Sequence, residues 1–325
     1  MDTKLPFELR SPKVIIKREA EEAKIGVKPE DRTTARLLDY GVINLNKPKG
    51  PTSHMTSDYV QKVLGIDKAG HGGTLDPGVT GVLPIAIGQS TRIVQTLLLA
   101  GKEYVCLMHM HTAIDKKEVQ KAFKKFTGKI MQMPPVKSAV KRELREREVY
   151  YIQLLEIDGQ DVLFKVGCQA GTYIRKLVHD IGKFLKTGAH MSQLVRTKAG
   201  PFKYENMITL QDLEDAMAFY KEGNDKFLRH CILPVEFAAS HLPKIWIDDS
   251  AIDSITHGAP LYIPGIIKLE DDIEAEQLIG IYTVKDELIA LAKAKMTSRE
   301  MELGSRGCVA QPYKVFMERG VYGKN

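Results

Sequence analysis

The chain has 325 residues, of which 43% are hydrophobic and 27% charged, a composition typical of soluble globular proteins with two or three domains. No apolar run approaches the ~18 residues of a membrane span, and the N-terminus lacks the apolar core of a signal peptide, so we expect an intracellular, cytoplasmic protein. The net charge is +6, unevenly spread: residues 1–240 sum to +9 and residues 241–303 to −6. The positive excess in the first three quarters fits a polyanionic partner.

Cysteines and histidines give little reason to expect a metal. The four cysteines are scattered along the chain, at positions Cys106, Cys168, Cys231 and Cys308. None are close enough in sequence for a zinc knuckle, and an intracellular chain of this size gives no reason for disulfides. His109 and His111 would share one face of a strand, but without a third ligand we predict ordinary surface or core histidines and no metal site.

The N-terminal 36 residues alternate charges with short apolar pieces, and only Val14–Ile16 indicates a short strand. Such a segment is expected to be ordered only where it packs on another part of the protein.

From Leu37 onward, periodicity and turn residues predict a regular succession of elements. The predicted strands are Gly41–Pro48, Val82–Ile87, Lys102–His111, Asp161–Gln169, Ile279–Val284, Leu288–Lys293 and Lys314–Met317. The predicted helices begin at Thr52 or Ser53, at Ser90 (to Leu99), at Lys116 (to Lys125), at Gly171 (to about Leu185) and after Thr209. Irregular alternation with several adjacent strands predicts an α+β fold with a mixed sheet.

A glycine-rich string between two of these elements is the most informative stretch. Residues 70–83 read Gly-His-Gly-Gly-Thr-Leu-Asp-Pro-Gly-Val-Thr-Gly-Val-Leu and hold one carboxylate, Asp76. An isolated Asp-Pro-Gly is usually only a turn, and a phosphate cradle would need the Lys-Ser/Thr ending that this loop lacks. A carboxylate on a stiff loop also has little conformational freedom to lose when it binds a substrate.

The whole string resembles the catalytic loop of TruB-type pseudouridine synthases, whose signature is Gly-Gly-Thr-Leu-Asp-Pro followed by Thr-Gly-Val-Leu. Residues 134–142, Pro-Pro-Val-Lys-Ser-Ala-Val-Lys-Arg, resemble the guide-dependent archaeal and eukaryotic branch. Residues 257–266 carry the Gly-Ala and Pro-Gly-Ile pattern of a PUA domain, a small RNA-binding barrel. The chain as a whole is similar to archaeal members of the dyskerin family, the catalytic subunits of box H/ACA ribonucleoproteins.

This resemblance implies three parts. Residues 1–36 would be an N-terminal extension packing on the C-terminal module. Residues 37–240 would form a mixed-sheet pseudouridine synthase domain, and residues 243–318 a PUA domain. The family's tryptophan-rich ending is missing here, which leaves the contacts of residues 318–325 open.

The same resemblance assigns catalytic roles to three residues. Asp76 would be the carboxylate that acts at the sugar–base junction of an extruded uridine, by a covalent or a glycal route. Tyr104 would stack on the base and help remove its C5 proton, although a half-buried strand tyrosine is the ordinary alternative. Arg175 would pair with Asp76 and fix its direction through a bidentate bond, although an arginine on a helix face is usually just solvated. No cofactor is needed.

Further positions match RNA-binding sites of the family. Tyr173 and Leu194 would line the substrate pocket, or belong to the ordinary core, and His54 would contact RNA near the target. Phosphate contacts are expected from a thumb-like loop over residues 132–149, or this segment is a solvated strand edge or helix face. The RNA-binding candidates are Lys137, Lys141, Arg142 and Arg145 in this loop, and Gly258 and Ala259 in the PUA module.

The expected partners are a guide RNA, a substrate rRNA or tRNA, and three small proteins. By resemblance these proteins are a zinc-containing accessory protein, a glycine-arginine-type protein and a kink-turn-binding protein. Two alternatives remain open: a guide-independent tRNA pseudouridine-55 synthase, and a non-catalytic RNA-binding assembly scaffold.

Overall fold

The computed structural model of the chain describes residues 3–19, 25–134 and 141–323. Its strands, in chain order, are β1 (Val14–Ile16), β2 (Gly41–Lys47), β3 (Ala69–His71), β4 (Thr80–Ile87), β5 (Lys102–Met110), β6 (Gly128–Gln132), β7 (Arg145–Asp158), β8 (Asp161–Cys168), β9 (Ala189–Ala199), β10 (Phe202–Lys203), β11 (Leu233–Pro234), β12 (Lys244–Ile247), β13 (Leu261–Tyr262), β14 (Ile266–Glu270), β15 (Leu278–Tyr282), β16 (Leu288–Ala294) and β17 (Cys308–Val315).

Helices connect these strands. They are α1 (Thr34–Tyr40), α2 (Ser53–Leu64), α3 (Val94–Leu99), α4 (Lys116–Lys125), α5 (Ile174–Phe184), α6 (Leu210–Lys221), α7 (Lys226–Cys231), α8 (Val235–Ala239), α9 (Asp249–Thr256) and α10 (Ser298–Leu303). Within the described ranges, none of them is long and apolar enough to cross a membrane.

A ten-stranded sheet organises the larger part of the chain. Its order is β11-β2-β4-β9-β5-β8-β7-β6, with β3 beside β4 and β10 beside β9. Strands β4 and β9 run parallel, whereas the other pairs are antiparallel. The predicted α+β fold with a mixed sheet is therefore confirmed.

Helix α5 illustrates how the sequence builds the core of this sheet. Ile174, Leu177, Val178 and Ile181 follow the i, i+3, i+4, i+7 spacing of one helix face, and all four are buried. They pack in one apolar cluster with strands β5, β7, β8 and β9 and helix α4. This burial leaves Arg175 on the outward side of the first helical turn.

The C-terminal residues form a second, seven-stranded sheet in the order β1-β14-β12-β15-β16-β17-β13. The N-terminal segment supplies its edge strand, because β1 pairs antiparallel with β14, from Val14 opposite Glu270 to Ile16 opposite Lys268. The same segment also contacts the first sheet, where Lys198 donates to both carboxylate oxygens of Glu8 at 3.0 and 2.9 Å. The N-terminal segment thus bridges both sheets.

Three element predictions were wrong in detail. Ser90 is not the N-cap of a helix that runs to Leu99: it is the third residue of a 3₁₀ helix (Gly88–Ile93). Its hydroxyl oxygen accepts from Ile87 N–H, and its single proton lies within reach of the Ile87 and Gly41 carbonyls. Helix α5 begins at Ile174 rather than Gly171, because Gly171 (φ +78°) lies in a turn that is closed by the Thr172 N–H donating to the Gln169 carbonyl at 3.2 Å. The last strand is β17 (Cys308–Val315), not Lys314–Met317, since residues 310–315 pair with β16 and Cys308 pairs with Tyr262 of β13.

Arg10 provides a test of the contact between the N-terminal segment and the second sheet. Its guanidinium bonds Asp272 (Nε to Oδ2, 2.7 Å) and Glu270 (Nη2 to Oε2, 2.6 Å). We expect Arg10→Ala to lower the free energy of unfolding by about 2 kcal/mol, because it leaves a half-buried carboxylate pair without its cation. Denaturant unfolding measures this change. Lys13→Ala removes the same charge from an exposed side chain and should have almost no effect; equal losses would contradict the role of Arg10.

Candidate active site

The glycine-rich loop between β3 and β4 is held from both sides of Asp76. Leu75 N–H donates to Ser53 Oγ at 2.8 Å, and that hydroxyl donates back to the Leu75 carbonyl at 3.2 Å. On the other side, Gly50 N–H donates to the Pro77 carbonyl at 2.9 Å. Ser53 is the first residue of α2, so the start of that helix fixes the backbone on which Asp76 is carried.

Asp76 and Arg175 meet, as the sequence predicted. The Arg175 guanidinium (Nη2) donates to Asp76 Oδ2, through a single contact rather than the two of a bidentate pair. Both side chains are 57% exposed, so the pair lies open on the surface. An exposed ion pair is weak on its own, and its geometry must therefore be set by the segments that carry the two residues.

A third residue, Arg196, lies beneath the loop and was not predicted from the sequence. It is only 1% exposed; its Nε donates to the Val82 carbonyl at 2.7 Å and its Nη2 to the Gly73 carbonyl at 3.0 Å. Arg196 is thus a buried cation that holds both ends of the glycine-rich loop through carbonyl oxygens.

The approach of Arg196 depends on a glycine in the facing strand. Gly81 pairs with Arg196 where β4 and β9 run parallel, and its φ is +101°. A Cβ on this residue would lie 2.2 Å from the Arg196 carbonyl oxygen. Only glycine fits this position without moving the strands.

Tyr104 stands opposite Arg196 on the neighbouring strand β5. Burial raises the pKa of the Tyr104 hydroxyl, the negative charge of Asp76 raises it further, and the Arg196 guanidinium beside it acts in the opposite direction. The hydroxyl is therefore protonated at neutral pH. It can donate a hydrogen bond, but almost none of it is present as the phenolate that a general base would need, since general bases work best with a pKa near the working pH.

Two buried lysines lie below the loop. Lys47 Nζ donates to the carbonyls of Pro48, Pro77 and Val79 at 2.9, 3.3 and 3.0 Å. Burial lowers the pKa of Lys47, and the Asp76 carboxylate opposes this effect.

Lys102 is held in the same way by the last turn of α3. Its Nζ donates to the Leu97, Leu98 and Ala100 carbonyls at 2.9, 2.9 and 2.6 Å, and burial lowers its pKa to about 7. In the described part of the chain, no carboxylate forms an ion pair with Lys47, Lys102 or Arg196. A lysine at the end of an otherwise uncharged strand, as at Lys47, was the signal available in the sequence.

The predicted pocket residues occupy different environments. Tyr173 is half-buried and immediately precedes helix α5. Leu194 is buried in the cluster that also contains Leu75 and Val79, beneath the loop. His54 is 83% exposed on the first turn of α2, with Nε2 at 3.6 Å from Asp58 Oδ2. Two cavities of about 340 and 420 Å³ lie elsewhere, and none of the predicted catalytic residues lines either one.

The predicted RNA-binding residues lie mainly on the surface. Lys137 lies outside the described residues. Lys141 and Arg142 are exposed, and Arg145 is half-buried at the start of β7. Lys141 forms an ion pair with Glu143, which offsets part of the positive charge of this segment.

The PUA-like candidates lie in the turn after α9. Gly258 is exposed with φ +89°, and Ala259 is half-exposed. The turn is closed by hydrogen bonds from these two backbone N–H groups to the Ile255 and Ser254 carbonyls, at 2.9 and 3.0 Å.

The structure also shows the surroundings of the histidine pair. His109 Nδ1 lies 2.7 Å from Asp161 Oδ1, and His111 Nε2 lies 3.2 Å from His190 Nδ1. Among the residues that the structure describes, no group of three or more histidine, cysteine or acidic side chains could hold a metal ion.

Comparison with protein families gives four consecutive matches. Residues 2–56 match the DKCLD (NUC011) domain, residues 61–174 the N-terminal domain of TruB family pseudouridylate synthases, residues 175–240 the C-terminal domain of tRNA pseudouridylate synthase B, and residues 243–316 the PUA domain.

Individual proteins match over nearly the full length. The chain is 51% identical to a probable tRNA pseudouridine synthase B of Methanopyrus kandleri (99% of this chain, 96% of the relative) and 53% identical to one of Pyrococcus horikoshii (98% and 97%). Among solved structures, it resembles a chain of a Cbf5-Nop10-Gar1 complex (TM-score 0.95, 52% identity) and one of an H/ACA RNP bound to a substrate RNA containing 2′-deoxyuridine (TM-score 0.93, 50% identity). Each match covers 99% of both chains.

The contact between β4 and β9 can be tested through Gly81. We expect Gly81→Ala to destabilise the protein by roughly 2 to 4 kcal/mol, because the added methyl overlaps the Arg196 carbonyl and the backbone is strained. Gly78→Ala, in the same loop, meets no atom within 4 Å and should change stability little. Denaturant unfolding compares the two, and similar stabilities would show that β4 and β9 are not closely constrained here.

Proposed function

The chain belongs to the TruB family of pseudouridine synthases and is an RNA pseudouridine synthase, and we propose that Asp76 is its catalytic carboxylate in a box H/ACA-type complex. The reaction breaks the N1–C1′ bond of uridine, turns the base and forms a C5–C1′ bond. The C5 proton is lost and N1 gains one, so the conversion is an isomerisation that consumes no cofactor. The chain must hold an extruded nucleotide and place one carboxylate at the sugar–base junction.

The pairing of Asp76 with Arg175 is the observation that supports this role most strongly. The carboxylate is exposed, as access by a nucleotide requires, while hydrogen bonds on both sides hold its backbone. Arg175 orients the carboxylate, and Arg196 and Lys47 place positive charge beneath it. An assembly scaffold without activity would have no need for this arrangement, which argues against the non-catalytic alternative.

We assign Tyr104 to the face of the pocket on which the extruded base stacks. Its protonated hydroxyl acts as a hydrogen-bond donor toward the base or toward Asp76, a role its raised pKa permits at neutral pH. Tyr173 and Leu194 complete the pocket in this proposal, and His54 contacts the RNA beside the target.

A guide RNA selects the target uridine in this proposal. The support is the likeness over 99% of both chains to a protein solved with Nop10 and Gar1 and to one in an H/ACA RNP with substrate RNA. By this likeness, proteins of the Nop10 and Gar1 kind bind this chain, and we identify them with the zinc-containing and glycine-arginine-type partners. A kink-turn-binding protein that grips the guide stays a prediction from the sequence resemblance. The complex would act in the cytoplasm, since the relatives are archaeal and archaeal cells have no nucleus.

We assign the surface candidates to contacts with RNA phosphates and with the guide RNA. Lys137, Lys141, Arg142 and Arg145 belong to the predicted thumb-like loop over residues 132–149, of which residues 145–149 lie in strand β7. Gly258 and Ala259 form a tight turn in the PUA module. Phosphate contacts dominate nucleic-acid affinity.

Direct modification of tRNA is the second candidate, because the relatives are named probable tRNA pseudouridine synthases. In that case the chain would act on tRNA without a guide. Both candidates use the same carboxylate.

Asp76→Asn tests the catalytic role. We expect it to reduce the single-turnover rate of pseudouridine formation by at least about 10⁴-fold, because the neutral amide can neither act as a nucleophile nor take a proton. Guide-RNA affinity should stay close to that of the wild type. Asp67→Asn, an exposed position close in sequence, is the matched control and should keep full activity. Activity of Asp76→Asn within tenfold of wild type would show that Asp76 is not the catalytic carboxylate.

The same assay distinguishes guide-dependent modification from direct modification of tRNA when it is run with the assembled complex and with the chain alone on tRNA. Activity that requires the guide supports the H/ACA assignment, whereas equal activity of the chain alone on tRNA favours the second candidate.

Tyr104→Phe keeps the ring and removes the hydroxyl. We expect roughly a 10- to 100-fold slower single-turnover rate, because the ring still stacks but the hydrogen bond is lost. Guide-RNA affinity should not change. Tyr204→Phe, an exposed tyrosine with no part in the proposed site, serves as the control. A rate equal to wild type would show that Tyr104 only lines the pocket and that its hydroxyl takes no part in the reaction.

A further inference from the structure

The direction of Arg175 depends on how helix α5 begins. Arg175 is the second residue of the helix, and Tyr173, immediately before the helix, makes no side-chain cap hydrogen bond with it. The first turn carries the guanidinium that meets Asp76, so a small rotation of this turn moves the guanidinium relative to the carboxylate. The buried side chains of Ile174, Leu177 and Val178 pack this turn against the sheet, and contacts to the residues just before the helix add to this restraint.

Gln132 makes such a contact. It is the last residue of β6 and is only 2% exposed. Tyr173 N–H donates to Gln132 Oε1 at 3.0 Å, and Gln132 Nε2 donates to the Tyr173 carbonyl at 3.2 Å. The side-chain amide thus bonds both main-chain groups of one residue, as a neighbouring strand would.

The adjacent strand β7 holds the residues just before Tyr173. Gln169 N–H donates to the Glu148 carbonyl at 2.8 Å, and Arg147 Nε donates to the Gly171 carbonyl at 3.1 Å. The β6–β7 hairpin therefore fixes the whole approach to α5, and Gln132 is the contact nearest to Arg175.

We propose that Gln132 is a positioning residue for the reaction: its buried amide holds the Tyr173 backbone so that Arg175 meets Asp76 in the productive geometry. This inference rests on the proposed function and adds a residue to it. Burying an amide costs free energy unless both of its polar groups are paired. Here the two bonds are made to a single residue, which restrains the start of α5 in position and in rotation.

Gln132→Glu makes the two hydrogen bonds to the Tyr173 backbone depend on pH. A protonated carboxyl has one donor and one acceptor, so it can reproduce both bonds to Tyr173; an ionised carboxylate can only accept, and it repels the Tyr173 carbonyl. Burial favours the neutral form. We therefore expect the single-turnover rate, relative to wild type at each pH, to approach 1 at low pH and to fall roughly 10- to 100-fold as pH rises.

Two further variants separate positioning from loss of stability. Gln132→Met has a similar size but makes neither hydrogen bond, so its rate should fall to the same extent at every pH. Val119→Ala removes buried volume from α4 in the same domain. It should lower thermal stability while leaving the rate unchanged at a temperature where all variants are folded. Guide-RNA affinity should be equal in all of them.

Hydrogen exchange measures how firmly Gln132 holds the start of α5, without depending on catalysis. In Gln132→Met, amides in the first turn of α5 should exchange faster than in the wild type, whereas amides in α4 should not change. Val119→Ala should show the opposite pattern.

Each outcome decides one point. If Gln132→Glu follows the wild type at all pH values, or if its rate loss is no larger than that of Val119→Ala at equal stability, the positioning role is overturned. If instead the wild-type complex makes no pseudouridine, the proposed function fails, whatever the hydrogen-exchange result for Gln132 shows.

Discussion

The ion pair between Asp76 and Arg175 joins two segments that lie 99 residues apart in the sequence. Because both side chains are exposed, their mutual attraction is screened by water and cannot by itself set their geometry. The geometry is instead provided by the scaffolds behind them. Ser53 and Gly50 hold the loop that carries Asp76, and the β6–β7 hairpin holds the start of α5. The site is thus accessible to RNA while the backbone beneath it is fixed.

The second constraint is the group of buried basic side chains under the loop. Arg196, Lys47 and Lys102 are each surrounded by backbone carbonyl oxygens rather than by carboxylates. Burying a charge is costly unless its hydrogen bonds are satisfied, and here the carbonyls that satisfy them belong to the loop and its neighbours. The chain therefore uses these side chains to hold irregular backbone in place, and Arg196 and Lys47 also leave a positive potential next to the Asp76 carboxylate, which suits a polyanionic substrate.

Much of the fold and the central pair of the site could be predicted from the sequence. Strand β2 (Gly41–Lys47) and helix α4 (Lys116–Lys125) follow from apolar periodicity and capping residues, which are local signals. The pairing of Asp76 with Arg175 came from motif resemblance. Residues whose role depends on distant neighbours were missed: Arg196 acts through Gly73 and Val82, and Gln132 through Tyr173. Nothing in the local sequence of either residue indicates which backbone groups it will meet.

The central claim is that Asp76 meets the sugar–base junction of an extruded uridine. The most direct measurement is the structure of the assembled complex with guide RNA and a substrate RNA carrying a non-reactive uridine analogue. The account predicts that an Asp76 carboxylate oxygen lies roughly 3 to 3.5 Å from the reacting sugar carbon, with the base turned out of its strand against Tyr104. A target base that stays stacked in the RNA, or a sugar carbon well beyond contact with Asp76, would contradict it.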